Sequence, residues 1–425
     1  MEQPASPKRE EASFPPNAPS HDARNWPQWK KNFVIFMVSF HSMSSTFMAA
    51  GIVPAASKFA HSYGVSLANA SYLVSVQILL LGIAPIFWTV IADRYGRHYV
   101  LVFSVLASMV CNIGGARCTT YAGQMITRAL TATVISPPIG IGSAVVVDLT
   151  TPDQRARKLG WWVLMTILGT PGGPFIMGFV VQHTEVQWIF WIYAIVNFLQ
   201  ALAYLLFSGE TLYIPESEPD ALEEQVSGLK KFVKELVPKR LNMRPITMLD
   251  FVSPFLLACK PRILVVALAT AITFCYGNII FVVEMPVTFG ERFGLDSQQT
   301  GLQFISVIIG CLIGEQLGGP MSDYFMKVYR KRRGHVRPSD RLWLAYIGFL
   351  TIIAGLLIWG FQLQRAITWN VTPCVGIAIA SFGNQIQSTI LTAYAIDTCP
   401  DKSAEIGVFF NAIRLLYGFV RLLKP

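Results

Sequence analysis

The stretch Gly160-Trp-Trp-Val-Leu-Met-Thr-Ile-Leu-Gly-Thr-Pro-Gly-Gly-Pro-Phe-Ile-Met-Gly178 decides how this chain is read. It is apolar throughout, yet it is full of residues that weaken helices. In lipid every backbone polar group needs a partner inside the protein, so an apolar run of about 20 residues reads as a transmembrane helix. At roughly 100° per residue, Gly169, Gly172 and Gly173 share one face, where small residues let a second helix come close. Pro174 removes a backbone donor and crowds the preceding turn, so the helix should bend near it. Gly178 falls off that face. A bent helix with a flat glycine face suits a pivot between two moving halves; ordinary glycine-mediated packing is the alternative.

The composition agrees with a membrane. Of 425 residues, 53% are hydrophobic and only 14% charged, whereas a soluble protein of this size carries about 25% charge. Apolar spans are expected near 33–56, 70–91, 99–116, 123–147, 160–181 and 188–208. After a polar stretch, more follow near 263–287, 300–322, 342–361, 370–396 and 404–420. The expected organisation is therefore a disordered tail over 1–32, a six-helix bundle over 33–208, a linker over 209–261 and a second bundle over 262–425. In the linker, Leu222, Val226, Leu229, Phe232, Val233 and Leu236 recur at helical spacing with Lys230, Lys231 and Lys234 between them. This predicts an amphipathic helix on the membrane surface. Six spans, a linker and five more suggest an internal duplication whose second copy ends early, with a genuine eleven-span form as the alternative.

The net charge of +9 does not indicate nucleic-acid binding, because the basic residues sit in short loops between spans, where they orient a membrane protein. With the N-terminus in the cytosol, the inner loops hold Arg94, Arg97, Arg155, Arg157, Lys158 and the run Lys327 to Arg337. The outer loops hold only Lys58, Arg117, Arg292 and Arg365. The seven cysteines are scattered without metal-type spacing and read as small packing residues. No nucleotide-binding loop, metal cluster or catalytic constellation is legible, so neither an enzyme nor a cofactor is expected.

Several charged residues stand out. Asp93-Arg94-Tyr95-Gly96-Arg97-His98 follows the second span; a tight turn there needs a glycine, and its arginines can pair with a neighbouring acid. Gly319-Pro-Met-Ser-Asp323, after the eighth span, looks like a partial second copy. Arg128 and Arg414 lie inside spans, where an arginine is costly unless it pairs or meets water. Glu315 lies mid-span in the eighth helix, and Glu284 lies in the outer part of the seventh. A carboxyl group there can take up and release a proton during transport, or simply stabilise packing. Asp397 reads as a loop anchor. Gln77, Asn278, Tyr276, Asn384 and Gln387 are candidates to line a cavity for an amphipathic molecule.

These features resemble the major facilitator superfamily, and within it the fungal drug:proton antiporter-like group with twelve spans. Gly160, Gly169, Gly173-Pro174 and Gly178 fit its fifth-helix antiporter motif, with Met177 replacing one glycine. The Asp93–His98 run fits its loop 2–3 signature, with Thr89 in place of a glycine. Arg128 fits its fourth-helix arginine, with Ala132 replacing the glycine four residues on. Asn25-Trp-Pro-Gln-Trp-Lys-Lys31, Glu210-Thr211 and Pro338-Ser-Asp-Arg341 are similar to further signatures of the group.

The resemblance implies an all-α polytopic membrane protein with the major facilitator fold. It further implies proton-coupled export of a drug or secondary metabolite by alternating access, with the fifth helix sliding on the eighth. Arg128 would join Glu315 and Glu284 in proton coupling. Asp93 would face the eleventh helix near Ser403-Ala404-Glu405. Arg94 or Arg97 would pair with Asp148, so that with Gly96 and Asp323 these residues latch the cytosolic side of an outward-open state. The expected partners are a small organic substrate, protons and lipid, with no nucleic acid, and the expected form is a monomer. The expected site is the plasma membrane, with a vacuolar or vesicular membrane as the alternative. A nutrient importer and a transport-dead regulatory protein remain the competing functions.

Overall fold

The computed structural model describes residues 23–150, 152–212, 247–333, 337–399 and 402–422. The expected surface helix of the linker lies outside them. Among the described residues, ten helices are long and apolar enough to cross a membrane. They are labelled here with one more polar helix in chain order: α1 Gln28–Ala50, α2 Leu67–Tyr95, α3 Arg97–Arg117, α4 Tyr121–Leu149, α5 Pro152–His183, α6 Gln187–Phe207, α7 Pro261–Phe293, α8 Ser297–Arg333, α9 Leu342–Arg365, α10 Thr372–Thr398 and α11 Ser403–Leu422. Helix α10 is long enough to span, but Asn384, Gln385, Gln387, Ser388 and Thr389 make it polar, and all five are buried against other helices.

The helices pack in two groups. In the first, α1 lies along α5, α3 along α6, and α4 against α2 and α3. In the second, α10 lies between α8 and α9, and α7 packs on α10 and α11. The groups meet along a seam where α2 and α4 touch α11, and α5 touches α8. Val110, Phe198, Leu199, Leu350, Ile353 and Leu357, on α3, α6 and α9, are more than half exposed. In water each would forgo about 1.5–3 kcal/mol of burial, so this surface belongs in lipid.

Some boundaries differ from the sequence expectation for local reasons. Asp93 is not in a loop: α2 continues to Tyr95, and Gly96 alone makes the turn with φ +96°. No side chain adopts that conformation cheaply. Helix α8 continues past the membrane through Lys327 to Arg333. Lys and Arg are good helix formers and favour a C-terminal turn, so the basic run extends the helix.

Helix α4 breaks at Ser136, with Pro137 opening its second half. Carbonyls around the break accept from side chains of α1 and α11. Ser45 donates to Ile135 O (2.8 Å), Ser42 to Pro138 O (3.0 Å) and Asn411 to Ile139 O (2.9 Å). Helix α5 runs on through both Pro171 and Pro174. Helix α7 contains a π-helical turn, Cys275–Ile279, which nothing in the spacing announces.

Candidate functional site

The seam is closed at both ends. At the Asp93 end, Arg94 Nη2 lies 3.0 Å from Asp250 Oδ2, tying α2 to the short helix Met248–Leu256 ahead of α7. At the opposite end, the Ser297 hydroxyl donates to Pro54 O (3.4 Å) and His183 Nε2 lies 2.8 Å from Gln298 Oε1. Side-chain contacts therefore bridge the seam at both of its ends.

Between the closed ends lies a cavity of ≈ 20 Å³, on the scale of one or two waters. Trp162, Val163 and Thr166 of α5 form one wall. Thr270 of α7, Ser388 and Thr392 of α10, and Gly407, Phe410, Asn411 and Arg414 of α11 form the other. It thus sits between the two groups. Arg414 is 6% exposed; its Nη2 donates to Asn411 Oδ1 (2.5 Å), and its guanidinium lies 4.4 Å from the Phe274 ring centroid. No acid among the described residues pairs with it, and neither its Nε nor the Ser388 hydroxyl has a hydrogen-bond partner there.

None of the five sequence candidates lines this cavity. Gln77, Asn278 and Asn384 are fully buried elsewhere, and both amide atoms of each lack a partner among the described residues. Gln387 accepts from the Thr273 hydroxyl (2.6 Å), and Tyr276 is half-buried. Sequence reasoning missed Ser388, Thr392, Thr270, Trp162 and Phe410. The available signal was the polar run on α10 together with Arg414, which marked two of the helices that meet here.

Glu315 is buried (6% exposed) on α8 at the seam. Its Oε2 accepts from Gln385 Nε2 (2.7 Å) and the Thr389 hydroxyl (2.6 Å), both on α10. Its Oε1 presses against Gly160 of α5, where a methyl group would overlap it. One carboxyl group thus has one oxygen held by the second group and the other against the first. Glu284 is exposed on α7.

Arg128 is buried and satisfied entirely by backbone. It donates to Met48 O (2.8 Å), Ala49 O (3.1 Å) and Leu73 O (3.3 Å). The first two carbonyls end α1, and a helix end has no intrahelical donors for them. Its position follows from that need.

Part of the expected charged motif is in place. Arg97 pairs with Asp148, linking the start of α3 to the end of α4. Arg341 Nε lies 2.9 Å from Asp397, linking the start of α9 to the end of α10, the same arrangement in the second group. Among the described residues no hydrogen bond joins Asp93 to Ser403, Ala404 or Glu405; Glu405 pairs with Lys402 instead (3.0 Å). The side chain of Asp323 lies outside the described residues. Glu210 accepts from the backbone N–H groups of Arg97 (3.1 Å), His98 (3.1 Å), Thr211 (2.9 Å) and Leu212 (2.8 Å). It thereby caps α3, a favourable place for an anion. Burial pushes its carboxyl above the usual range, against the pull of the backbone donors.

The glycines of α5 divide between two faces. A methyl group at Gly173 would sit 2.7 Å from Gly51 N and Phe47 O, and one at Gly169 would sit 2.9 Å from Phe47 N, so both face α1 in their own group. At Gly172 the nearest atom would be 3.8 Å away, in ordinary contact. Gly178 faces Ser297 O (2.6 Å) and Gly301 Cα (3.2 Å) on α8. The close approach to α8 is therefore made by Gly160 and Gly178, not by the Gly169–Gly173 face.

Comparison with known proteins agrees with this architecture. The chain is 27% identical over 406 residues to the MFS transporter fsa7 of Fusarium sp. (strain FN080326), covering 94% of this chain and 78% of the relative. It is 28% identical over 411 residues to the efflux pump radE of Floropilus chiversii, covering 93% and 74%. The crystal structure of the human organic anion transporter MFSD10 shares the fold, with a TM-score of 0.50 and 14% identity over 94% of this chain and all of that one. The Major Facilitator Superfamily model matches residues 35–420. A two-group bundle of membrane helices closed around a central cavity, with that match over nearly its whole length, belongs to the Major Facilitator Superfamily of membrane transporters.

Proposed function

We propose that this transporter exports an amphipathic organic compound in exchange for protons, by alternating access at the seam. The observation that carries this reading is Glu315. A carboxyl group at the seam, with one oxygen hydrogen-bonded to α10 and the other against Gly160, can hold the halves together differently when protonated and when charged. Protonation removes the charge that must otherwise be desolvated when α5 closes over it. Deprotonation then favours the arrangement in which water reaches the carboxylate. Substrate and proton would use the seam alternately, which is exchange.

Export is also the activity in the name of the Floropilus relative. The Asp93 end, with Lys30, Lys31, Arg94, Arg97, Lys158 and Arg330 to Arg333, is the basic one, so it would face the cytosol together with the N-terminus. The plasma membrane and a monomeric form complete the proposal.

The test pairs deletion with overexpression in the host and compares compounds inside cells with those in the medium. Export predicts one compound retained on deletion and enriched outside on overexpression. A nutrient left in the medium on deletion would overturn the direction. With that compound in hand, Glu315→Gln should flatten the pH dependence of its transport.

A further inference from the structure

The cavity carries one side-chain charge, and it is positive. Arg414 reaches it from α11, with Nη2 on Asn411 Oδ1 at 2.5 Å, its guanidinium near the Phe274 ring, and Nε without a partner among the described residues. Arg128 and Glu315, also buried mid-span, are committed elsewhere, Arg128 to three backbone carbonyls and Glu315 to α10 and Gly160. A guanidinium taken out of water and given one neutral amide and one aromatic ring, with no anion, is only partly compensated; its natural complement is a carboxylate, bound through two parallel N–H donors. Trp162 and Phe410 line the same cavity, and aromatic lining suits a ring attached to the acid.

We infer that Arg414 recognises an organic anion, a carboxylate on an aromatic or comparably flat apolar body, as the substrate class. This rests on the export reading and narrows it, since a cationic substrate would meet like charge at the cavity. The geometry also gives binding a consequence. Asn411 donates its Nδ2 to Ile139 O of α4 (2.9 Å), so the same amide that holds Arg414 ties α11 across the seam. An anion taking Nη2 and Nε displaces Asn411 Oδ1 and frees that amide, loosening α4 from α11. Opening the seam makes room that the closed cavity lacks.

The probes are 2-naphthoate and the neutral 2-naphthamide, which share one ring system. Thermal stabilisation of the purified full-length chain is followed against the concentration of each at neutral pH. The wild type should prefer naphthoate by about tenfold or more, the worth of one charge-assisted pairing. Arg414→Gln should bind both equally, and Arg414→Lys should keep part of the preference. Asn411→Asp places a carboxylate on the arginine without removing it, and should abolish the preference. Equal binding of the two probes by the wild type, binding of neither, or a preference that survives in Arg414→Gln would overturn the inference. Proteoliposomes with an imposed pH gradient separate it from the export reading. An Arg414-dependent naphthoate preference without proton-linked transport leaves the anion site standing and removes proton exchange. Proton-linked transport in a wild type with no anion preference does the reverse.

Discussion

Arg128 and Arg414 are both buried arginines in the middle of membrane helices, and from sequence they look equivalent. Their surroundings are opposite. Arg128 spends its guanidinium on Met48, Ala49 and Leu73 carbonyls, all inside the first group of helices. Arg414 has one side-chain hydrogen bond and the Phe274 ring beside it, lines the central cavity, and has no partner for Nε among the described residues. The first arginine is consumed by the fold, because the end of α1 needs donors. The second is held in reserve at the seam. The general distinction is between contacts made within a group of helices, which should govern stability, and contacts at the seam, which should govern transport.

The largest expected effect tests the first half of that distinction. Arg128→Met leaves the Met48 and Ala49 carbonyls at the end of α1 without their donor, and each orphaned buried acceptor costs about 1–3 kcal/mol. The variant should lose at least about 2 kcal/mol and show poor yield and a lower unfolding midpoint. Arg414→Met should purify as a folded protein that fails in transport. An Arg128 variant that is stable but uncoupled from the proton would erase the contrast.

The glycines of α5 give the next test. Gly173→Leu drives a side chain into the Gly51 and Phe47 backbone, which cannot give way, so misfolding is expected. Gly178→Leu meets Ser297 O and Gly301 across the seam. It should fold, but with the end near Ser297 held open and a cysteine at Gln298 labelled faster than in the wild type. Equal loss of folding in both variants would mean that the seam is as rigid as the groups themselves. Glu315→Gln is gentler still, since an amide occupies the same volume and keeps partners on α10. Turnover should persist with its pH dependence flattened, and an unchanged pH profile would return Glu315 to a packing role.

The same distinction explains what the sequence reveals. Helix existence is legible because burial in lipid demands long apolar runs, and ten of the eleven expected spans meet that demand in the structure. Helix α10 departs from it through its amides and hydroxyls, polarity that belongs to its place among other helices. Which way a side chain points is a tertiary property. Gly169 and Gly173 look like a sliding face by spacing, yet they meet α1, because spacing fixes a shared face and not its neighbour. Gln77, Asn278 and Asn384 share the composition of a binding site, but the cavity takes Ser388 from α10 and Arg414 from α11. Arg97 beside Asp148 needs only adjacent helix ends, and that pairing follows from the motif. Arg94 on Asp250 reaches across an intervening linker of unreadable geometry.

That last contact is the mildest place to probe the seam. Asp250 caps its own short helix through the Thr247 N–H (2.9 Å) and receives Arg94 at 3.0 Å. The Thr247 backbone donor first, and Arg94 after it, hold its carboxyl below the usual carboxylate range. The sign follows directly: a carboxyl depressed in the folded state contributes stability above its unfolded pKa, about 3.9, and loses it as pH falls through the folded value. The tie is therefore intact at neutral pH and releases only in strong acid, so it cannot serve as the proton switch that the seam requires. Asp250→Asn should leave folding and the pH profile of transport unchanged. It should only quicken opening at the Asp93 end, seen as faster labelling of a cysteine placed at Ser253. A shifted pH profile in that variant would move the coupling from Glu315 to this end of the molecule, and with it the line between what holds a half together and what moves it.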